Sequence, residues 1–307
     1  MRIIFMGTPE FAVPTLAAIH ESNQEVVGVV TAPDKPAGRG RKLQSSAVKK
    51  YADEQGIPVF QPVKLRNPEF VEAMKELNAD LMVVVAFRML PQMIWEIPSI
   101  GTFNLHAALL PDYRGAAPIN WVVMNGERQT GMTTFFIDKQ IDTGNILLQE
   151  SMEIPVDWTA GNLHDEMMVK GAGLVMRTIK GLEAGELAPK QQDDSLFQHH
   201  APKIFKEDCR IKWDQAAETI YNFVRGLSPF PTAWTMLEDQ NVKIFFTKLS
   251  ELEEDGEPGQ LLLRDNALFV KAANGWLEIT ELQLAGRKRM QTKVWLQGIR
   301  EIPTHFS

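Results

Sequence analysis

The sequence has few of the groups that build covalent or metal-dependent structure. Cys209 is its one cysteine, which excludes an intrachain disulfide, and its six histidines are scattered without an HExxH or CxxC motif. We therefore expect no metal site. No run of 18 apolar residues occurs, and the segment MRIIFMGTPEF is interrupted by Pro9 and Glu10 too early for a signal peptide. We expect a cytoplasmic monomer with no membrane partner.

Positive charge is also in short supply, with 32 basic and 39 acidic residues and a net charge of −7. This balance argues against a protein that coats nucleic acid. Two short stretches are nevertheless basic: residues 33–50 contain six basic residues and one acidic residue, and residues 286–300 contain five basic residues and no acidic one. Such islands can attract a polyanion. From charge alone, two solvated loops are an equal alternative.

A dinucleotide-binding fingerprint is missing from the start of the chain. A β-branched strand at residues 2–7 precedes a helix from about Pro14, but no GxGxxG joins them, so NAD binding is not supported. Further strands are predicted at 25–32 and 59–60, and the apolar run at 81–87 predicts a central parallel strand. The pattern predicts an α/β domain with a Rossmann-like, mostly parallel sheet.

The first basic island lies in a stretch that is rich in structure-breaking residues. Pro33, Pro36, Gly38 and Gly40 predict about ten residues without regular structure. Long loops of this kind inside α/β domains are usually functional or disordered.

Three polar residues stand out in the middle of the chain. Alternation along the predicted strand GTFNLH, residues 101–106, puts Asn104 and His106 on one face. A second strand, GMTTFFI, leads to Asp142, and Gly144 permits a tight turn beside that carboxylate. A buried amide and imidazole are costly to desolvate unless each has a partner, so Asp142 is a candidate partner for His106. A single histidine in a strand or a single aspartate before a glycine usually has a structural role. The three residues together indicate a catalytic site.

The chain changes character after residue 188. Residues 189–208 are polar with little periodicity, and we interpret them as a linker between a first domain, 1–188, and a second domain, 209–307. A helix is expected at about 214–226. The segments VKIFFTKL, QLLLR, ALFVKAANG and WLEITELQL then predict a small OB-like β-barrel. Basic loops on such a barrel suit contacts to an RNA backbone.

The Asn-x-His pair, the proline-bounded loop after it and the Asp-x-Gly turn together resemble the core of the folate-dependent formyltransferases. HAALLPDYRGAAPI, residues 106–119, is similar to the form in members that act on methionyl-initiator tRNA. PDKPAGRGRKL, 33–43, resembles their substrate-binding loop, and APKIFKEDCRIKW, 201–213, resembles the opening of their second domain, with Lys212 in place of the usual Asp. The resemblance implies formyl transfer from 10-formyltetrahydrofolate to the α-amine of methionine on initiator tRNA.

The resemblance also implies roles for individual residues. The implied catalytic residues are Asn104, His106 and Asp142. The implied folate contacts are Phe87, Arg88, Leu90, Ala108, Leu109, Leu110, Pro111, Ile137 and Asp138. The implied tRNA contacts are Arg39, Arg41, Lys42, Lys203, Lys206, Arg287 and Lys288. Two features depart from the family pattern: Ala108 replaces the usual Ser, and Phe87 and Arg88 replace part of an Ala-Tyr-Gly corner.

Three other functions stay open at this point. A formyltransferase for a small amine, such as glycinamide ribonucleotide or an amino sugar nucleotide, would share the three catalytic residues but would not need the basic loop or the second domain. A catalytically inert RNA-binding protein would have no need for a buried polar triad. A folate hydrolase is the third alternative.

Overall fold

The computed structural model describes residues 1–37, 42–299 and 304–307. The chain forms two compact units. Unit 1 comprises Met1–Gly115, Thr130–Met152 and His164–His200, and unit 2 comprises Ala116–Gln129, Glu153–Leu163 and Ala201–Ser307.

The regular elements are short and follow each other closely. The strands are β1 (Arg2–Gly7), β2 (Glu25–Val30), β3 (Lys35–Ala37), β4 (Lys42–Gln44), β5 (Val59–Phe60), β6 (Leu81–Val85), β7 (Gly101–His106), β8 (Arg114–Gly115), β9 (Gln129–Phe136), β10 (Ile146–Glu153), β11 (His200–Ala201), β12 (Ala233–Leu237), β13 (Gln240–Ser250), β14 (Leu261–Arg264), β15 (Ala267–Lys271), β16 (Trp276–Leu284) and β17 (Met290–Gln291). The α-helices are α1 (Val13–His20), α2 (Ala47–Glu54), α3 (Pro68–Glu76), α4 (Gln92–Trp95), α5 (Pro118–Met124), α6 (Ala160–Glu183), α7 (Ala217–Leu227) and α8 (Thr292–Leu296).

Unit 1 is built on a sheet with the strand order β10-β9-β7-β6-β1-β2-β5. Strands β7, β6, β1, β2 and β5 pair in parallel, and β9 joins β7 antiparallel. Every residue of β6 is buried, as its continuous apolar sequence predicts for a central strand covered on both faces. The prediction of a Rossmann-like, mostly parallel sheet is confirmed.

The central strands bring the polar pair into register with their neighbours. Asn104 lies opposite Val84 of β6, and His106 lies opposite Thr133 of β9. The pair therefore projects from the middle of the sheet, where neighbouring strands on both sides fix its position.

Unit 2 contains an antiparallel sheet with the order β12-β13-β16-β15-β14, and β17 pairs with β16. Helix α7 buries Ile220, Val224 and Leu227 in the same apolar cluster as Ile244 of β13 and Leu277 of β16. Three apolar residues at this helical spacing give α7 one core-facing stripe.

The two edge strands of this sheet are covered by one short segment. Phe306 bridges Leu237 at the end of β12, and His305 bridges Gln260 just before β14. Phe306 is 1% exposed, and its ring stacks on that of Trp213 with centroids 5.8 Å apart. The antiparallel sheet of short strands predicted for the second domain is confirmed, and one segment bridges both of its edges, as closure into a barrel requires.

The prediction for the first basic island was wrong in one respect. Strands β3 and β4 form an antiparallel hairpin in which Lys35 faces Gln44 and Pro36 faces Leu43, so regular structure enters the stretch that was expected to lack it. A two-stranded hairpin has free edges on both sides, so it tolerates a proline that a central strand would not.

Candidate active site

His106 ends β7 and is 5% exposed. Its Nε2 lies 2.9 Å from the carbonyl oxygen of Tyr113. Because a carbonyl oxygen only accepts hydrogen bonds, Nε2 carries a proton and donates it to Tyr113. The second ring nitrogen, Nδ1, is therefore the one that other groups of the site can contact.

Asp142 faces that second nitrogen. Its Oδ2 lies 3.8 Å from Nδ1 of His106 and accepts a hydrogen bond from the backbone N–H of Gly115 at 2.9 Å. The 3.8 Å separation is longer than a hydrogen bond, so the pair interacts mainly through charge when His106 is protonated. Asp142 has a φ of 56°, in the left-handed region that non-glycine residues rarely adopt.

Asn104 lies two residues before His106 on β7 and is half-buried. Its side-chain amide carries two N–H donors. The N–H groups of Asn104 can therefore bind an oxygen atom of a ligand. The structure places Asn104, His106 and Asp142 in unit 1 and brings the last two together.

The loop after His106 is held by its backbone. The hydroxyl of Thr133 donates to the carbonyl of Ala108 at 2.7 Å and accepts from the N–H of Leu110 at 3.1 Å, while Gln149 donates to the carbonyl of Leu110 at 2.8 Å. Ala108 and Leu110 are buried, as is Pro111, and Leu109 is half-buried. The loop therefore offers a ligand a rigid backbone with limited side-chain surface.

The remaining predicted folate contacts fall into two groups. Phe87, Leu90 and Ile137 belong to one apolar cluster. The polar pair is engaged locally: the Arg88 guanidinium donates to the carbonyl of Val63 at 3.0 Å and to that of Pro62, and Asp138 accepts from the N–H of Gln140 and the hydroxyl of Thr143 at 2.9 and 2.8 Å. Both polar residues thus fix loops of unit 1.

A second pair supports the carbonyl that holds His106. Asp112 accepts hydrogen bonds from Nδ1 of His199 at 3.0 Å and from the backbone N–H groups of His199 and Gln198. Burial acts to raise the pKa of Asp112, but these hydrogen bonds outweigh it and the pKa lies below its ordinary value. The His199 ring stacks on Tyr113 with centroids 5.0 Å apart, and the His199 carbonyl accepts from the Tyr113 N–H at 2.9 Å.

The predicted tRNA contacts of unit 2 are exposed: Lys203, Lys206, Arg287 and Lys288. Nζ of Lys203 lies 5.1 Å from the ring centroid of Phe205, which is itself 57% exposed. A basic group beside an exposed aromatic ring suits contact with a nucleic acid. Arg39 and Arg41 lie outside the described residues, and for Lys42 only the backbone is described.

Sequence reasoning missed several residues that position the site. Thr133, Gln149, His199 and Gln192 act through backbone groups of other segments, and the acceptor for His106 is the main-chain carbonyl of Tyr113. Every residue has a main-chain carbonyl, so the sequence does not show which one accepts this hydrogen bond. Gln192 and His199 lie in the polar stretch that we interpreted as a linker, where no periodicity marks them.

Residues 1–37, 42–299 and 304–307 include neither a group of metal ligands nor a helix that could cross a membrane. No group of three or more His, Cys, Asp or Glu side chains there could hold a metal ion. None of the helices in these ranges has the length and apolar character needed to cross a membrane.

Comparison with known families defines the class of this site. The family model for formyl transferase matches residues 1–179, and the model for the formyl transferase C-terminal domain matches residues 203–300. The chain therefore belongs to the formyl transferase family and is a formyl-transferring enzyme. An inert RNA-binding protein and a folate hydrolase are not favoured.

Individual relatives indicate which members of the family this chain is similar to in sequence over nearly its full length. The chain is 48% identical over 303 residues to the methionyl-tRNA formyltransferase of Flavobacterium johnsoniae, covering 97% of this chain and 96% of that protein. It is 46% identical over 309 residues to the methionyl-tRNA formyltransferase of Bacteroides thetaiotaomicron, covering 98% and 96%. These relatives place the chain among the methionyl-tRNA formyltransferases. The sugar 3N-formyl transferase WlaRD, with a TM-score of 0.68 and 19% identity over 94% of this chain and 99% of that one, shares the fold.

Proposed function

We propose that the chain transfers the formyl group of 10-formyltetrahydrofolate to the α-amine of methionine on initiator tRNA. The observation that carries this proposal is the arrangement of Asn104, His106 and Asp142 in a chain whose full-length relatives are methionyl-tRNA formyltransferases.

The chemistry that these residues can perform is direct attack without a covalent intermediate. The amine attacks the formyl carbon, and negative charge develops on the formyl oxygen. Preorganised donors aimed at that oxygen are usually the largest catalytic contribution. Asn104 supplies an amide N–H, and His106, protonated on Nδ1, supplies a charged donor.

Asp142 has two compatible tasks. Its carboxylate, 3.8 Å from Nδ1 of His106, stabilises the imidazolium. The attacking nitrogen becomes positive and must lose a proton, and Asp142 can accept it directly or through water. Collapse of the tetrahedral intermediate expels N10 of tetrahydrofolate, which takes up a proton and leaves as the free amine.

The donor is proposed from the family and from the loop geometry. WlaRD was crystallised in the presence of 5-N-formyl-THF, which supports a reduced folate as the ligand of this fold. In this chain, the rigid backbone of residues 108–111 and the apolar cluster of Phe87, Leu90 and Ile137 are the proposed folate contacts. Arg88 and Asp138 would act there mainly by holding loops. No metal ion is part of the proposed reaction.

The acceptor is proposed from the relatives and from the distribution of charge. Exposed Lys203, Lys206, Arg287 and Lys288 in unit 2 are the proposed tRNA contacts, together with Arg39, Arg41 and Lys42. A small amine would need neither set. The division into a catalytic domain 1–188, a linker 189–208 and an RNA-binding domain 209–307, the cytoplasmic location and the monomeric state stay predictions.

One assay tests the whole proposal. Purified protein is given 10-formyltetrahydrofolate and, in separate reactions, methionyl-initiator tRNA, glycinamide ribonucleotide or an amino sugar nucleotide. We expect formylation of the aminoacylated tRNA alone. Equal or faster formylation of a small amine would contradict the assigned acceptor, and release of free formate without an acceptor would indicate a hydrolase.

A further inference from the structure

A buried glutamine ties the Asp142 turn to the rest of unit 1. Gln192 is 7% exposed, and its amide nitrogen donates to the carbonyl oxygens of Asp142 at 2.9 Å and Gly144 at 2.8 Å. Its Oε1 accepts from Nε of Arg114 at 3.1 Å and from Nη2 of Arg114 at 2.6 Å. A carboxamide has two N–H donors and two acceptor lone pairs, so this side chain is fully hydrogen-bonded.

Arg114 decides which way the amide faces. A guanidinium can only donate, so Oε1 of Gln192 turns toward Arg114 and the NH₂ group turns toward the two carbonyls. Arg114 is itself fixed, because its Nη2 lies 2.7 Å from Oδ1 of Asp194 and its guanidinium carbon lies 5.5 Å from the ring centroid of Phe197. Gln192 is thus oriented as a double donor to the turn.

The two bonded carbonyls flank Thr143, so Gln192 grips the backbone on both sides of one residue. Asp142 holds a left-handed φ of 56°, a conformation that persists only where its surroundings enforce it. Without the two hydrogen bonds, the turn can relax toward the common right-handed or extended regions. That relaxation would swing the Asp142 carboxylate away from Nδ1 of His106.

We propose that Gln192 is a positioning residue for formyl transfer: its two N–H groups hold the Asp142 turn so that the carboxylate faces His106. This inference rests on the roles proposed above for His106 and Asp142. Gln192 acts through Asp142 and is distinct from the residues that contact the substrates.

The decisive variant is Gln192→Glu. It keeps the shape and the acceptors for Arg114, but it replaces the NH₂ donors with an oxygen that repels the two carbonyls. Because small displacements of catalytic groups are costly, we expect kcat to fall by about ten- to a hundredfold. The KM values for the folate and for methionyl-tRNA should stay within about twofold. Gln192→Met, which is neutral and similar in size, should lower kcat in the same way if Gln192→Glu does not fold.

Gln191→Glu is the matched control. It makes the same chemical change one residue earlier, at an exposed position, and kcat should stay within about twofold of the wild type. A double variant, Asp142→Asn with Gln192→Met, tests the route of action. If Gln192 acts through Asp142, the double variant is no slower than Asp142→Asn alone, whereas a purely structural Gln192 would add its loss in full.

The outcomes separate this inference from the function on which it rests. A wild type that does not formylate methionyl-tRNA would overturn both. Active wild type, slow Asp142→Asn and unchanged kcat in both Gln192 variants would overturn the inference alone. If Gln192→Glu retains its kcat while Gln192→Met loses it, the inference is also overturned. The hydrogen bonds from Arg114 to Gln192, and not those from Gln192 to the Asp142 turn, would then support catalysis.

Discussion

At the scale of single residues, the carbonyl of Tyr113 sets the tautomer of His106. It accepts from Nε2, which leaves Nδ1 as the nitrogen that faces Asp142 at 3.8 Å. The same hydrogen bond holds the ring in the orientation that directs Nδ1 toward the carboxylate.

Replacement of the two proposed oxyanion donors tests the reaction at this scale. Asn104→Ala or His106→Ala should lower the rate of formyl transfer by about 10²- to 10³-fold, the usual cost of one such donor. Folding should survive, which the circular dichroism spectrum and the melting temperature would show. Turnover close to that of the wild type in both variants would contradict the assigned roles.

Asp142→Asn separates charge from shape. The amide oxygen can still accept from the N–H of Gly115, but the charge that stabilises the imidazolium is lost. We expect kcat to fall while the folate affinity, measured by equilibrium titration, changes little. Asp165→Asn is a suitable control because that carboxylate is exposed on α6. A collapse of folate affinity with unchanged kcat would make Asp142 a binding residue instead.

The single thiol gives a prediction with a pH dependence. Burial, helped by Asp208 and Glu207, raises the pKa of Cys209 to about 11. The folded protein therefore keeps the thiol protonated. The contribution of the buried neutral thiol to the free energy of unfolding is complete below pH 9.0, and it is lost as the pH rises toward about 11. At pH 8, Ellman's reagent should react slowly with the native protein and fast in denaturant. Equal rates in both conditions would show that the thiol is accessible in the folded state.

At the scale of elements, the turn between β9 and β10 depends on one glycine. A Cβ atom at Gly144 would overlap the carbonyl oxygen of Phe136, which cannot move without breaking the strand. Gly173, by contrast, is exposed in the middle of α6, and a Cβ there would meet Nη1 of Arg177 at an ordinary 3.6 Å.

The two glycines should therefore respond to alanine with opposite signs. Gly144→Ala should destabilise the protein by about 1–3 kcal/mol through overpacking against backbone. Gly173→Ala should stabilise it by about 0.5–1 kcal/mol because alanine favours the helix. Urea denaturation of both variants measures the difference. Neutral behaviour of Gly144→Ala would mean that the turn adjusts freely.

Strands and helices with a clear hydrophobic pattern were predictable from the sequence. Hydrogen bonds from side chains to main-chain groups of distant segments were not. The apolar run of β6 and the polar pair on β7 were visible because burial leaves a pattern in residue type. The β3–β4 hairpin was missed because two prolines and two glycines predicted an irregular loop, and the two pairing segments are only three residues long. Gln192 was missed because a polar stretch without periodicity looks the same whether it is a solvated linker or a hydrogen-bonded strap of unit 1.

At the scale of the whole molecule, the proposed tRNA contacts are basic residues on a protein whose net charge is −7. Replacing Arg39, Arg41 and Lys42 by Ala removes up to three phosphate contacts, each worth a salt slope of about 0.7–0.9. We expect the KM for methionyl-tRNA to rise and to depend less on salt, with the KM for the folate unchanged. A salt series of initial rates measures both.

A second triple variant controls for net charge. Lys170, Arg177 and Lys180 lie exposed on α6, and their replacement by Ala removes the same charge from residues 127–200, which contain 12 acidic and 6 basic residues. Its KM for methionyl-tRNA should follow that of the wild type. Identical salt slopes for all three proteins would exclude the 33–43 loop as the acceptor-binding element and reopen the small-amine alternative.

The segment that bridges both edges of the unit 2 sheet gives a prediction about stability. Phe306 is fully buried against Trp213, so Phe306→Ala should cost about 3–5 kcal/mol, as for other large core deletions. Thermal unfolding with simultaneous light scattering measures the loss and any association. A variant that melts like the wild type would show that the segment contributes little to the closed sheet.

The same segment also sets how the protein would associate if it came loose. A subunit with one bare strand edge can only pair once, and it stops at a dimer. Here Phe306 bridges Leu237 at the end of β12 and His305 bridges Gln260 just before β14, so their release frees backbone groups at both ends of the strand order at the same moment, while Arg210 still bridges Trp234 of β12. A subunit with free backbone groups at both ends of its sheet can pair in two directions, so we expect loss of this short cover to favour open-ended polymers.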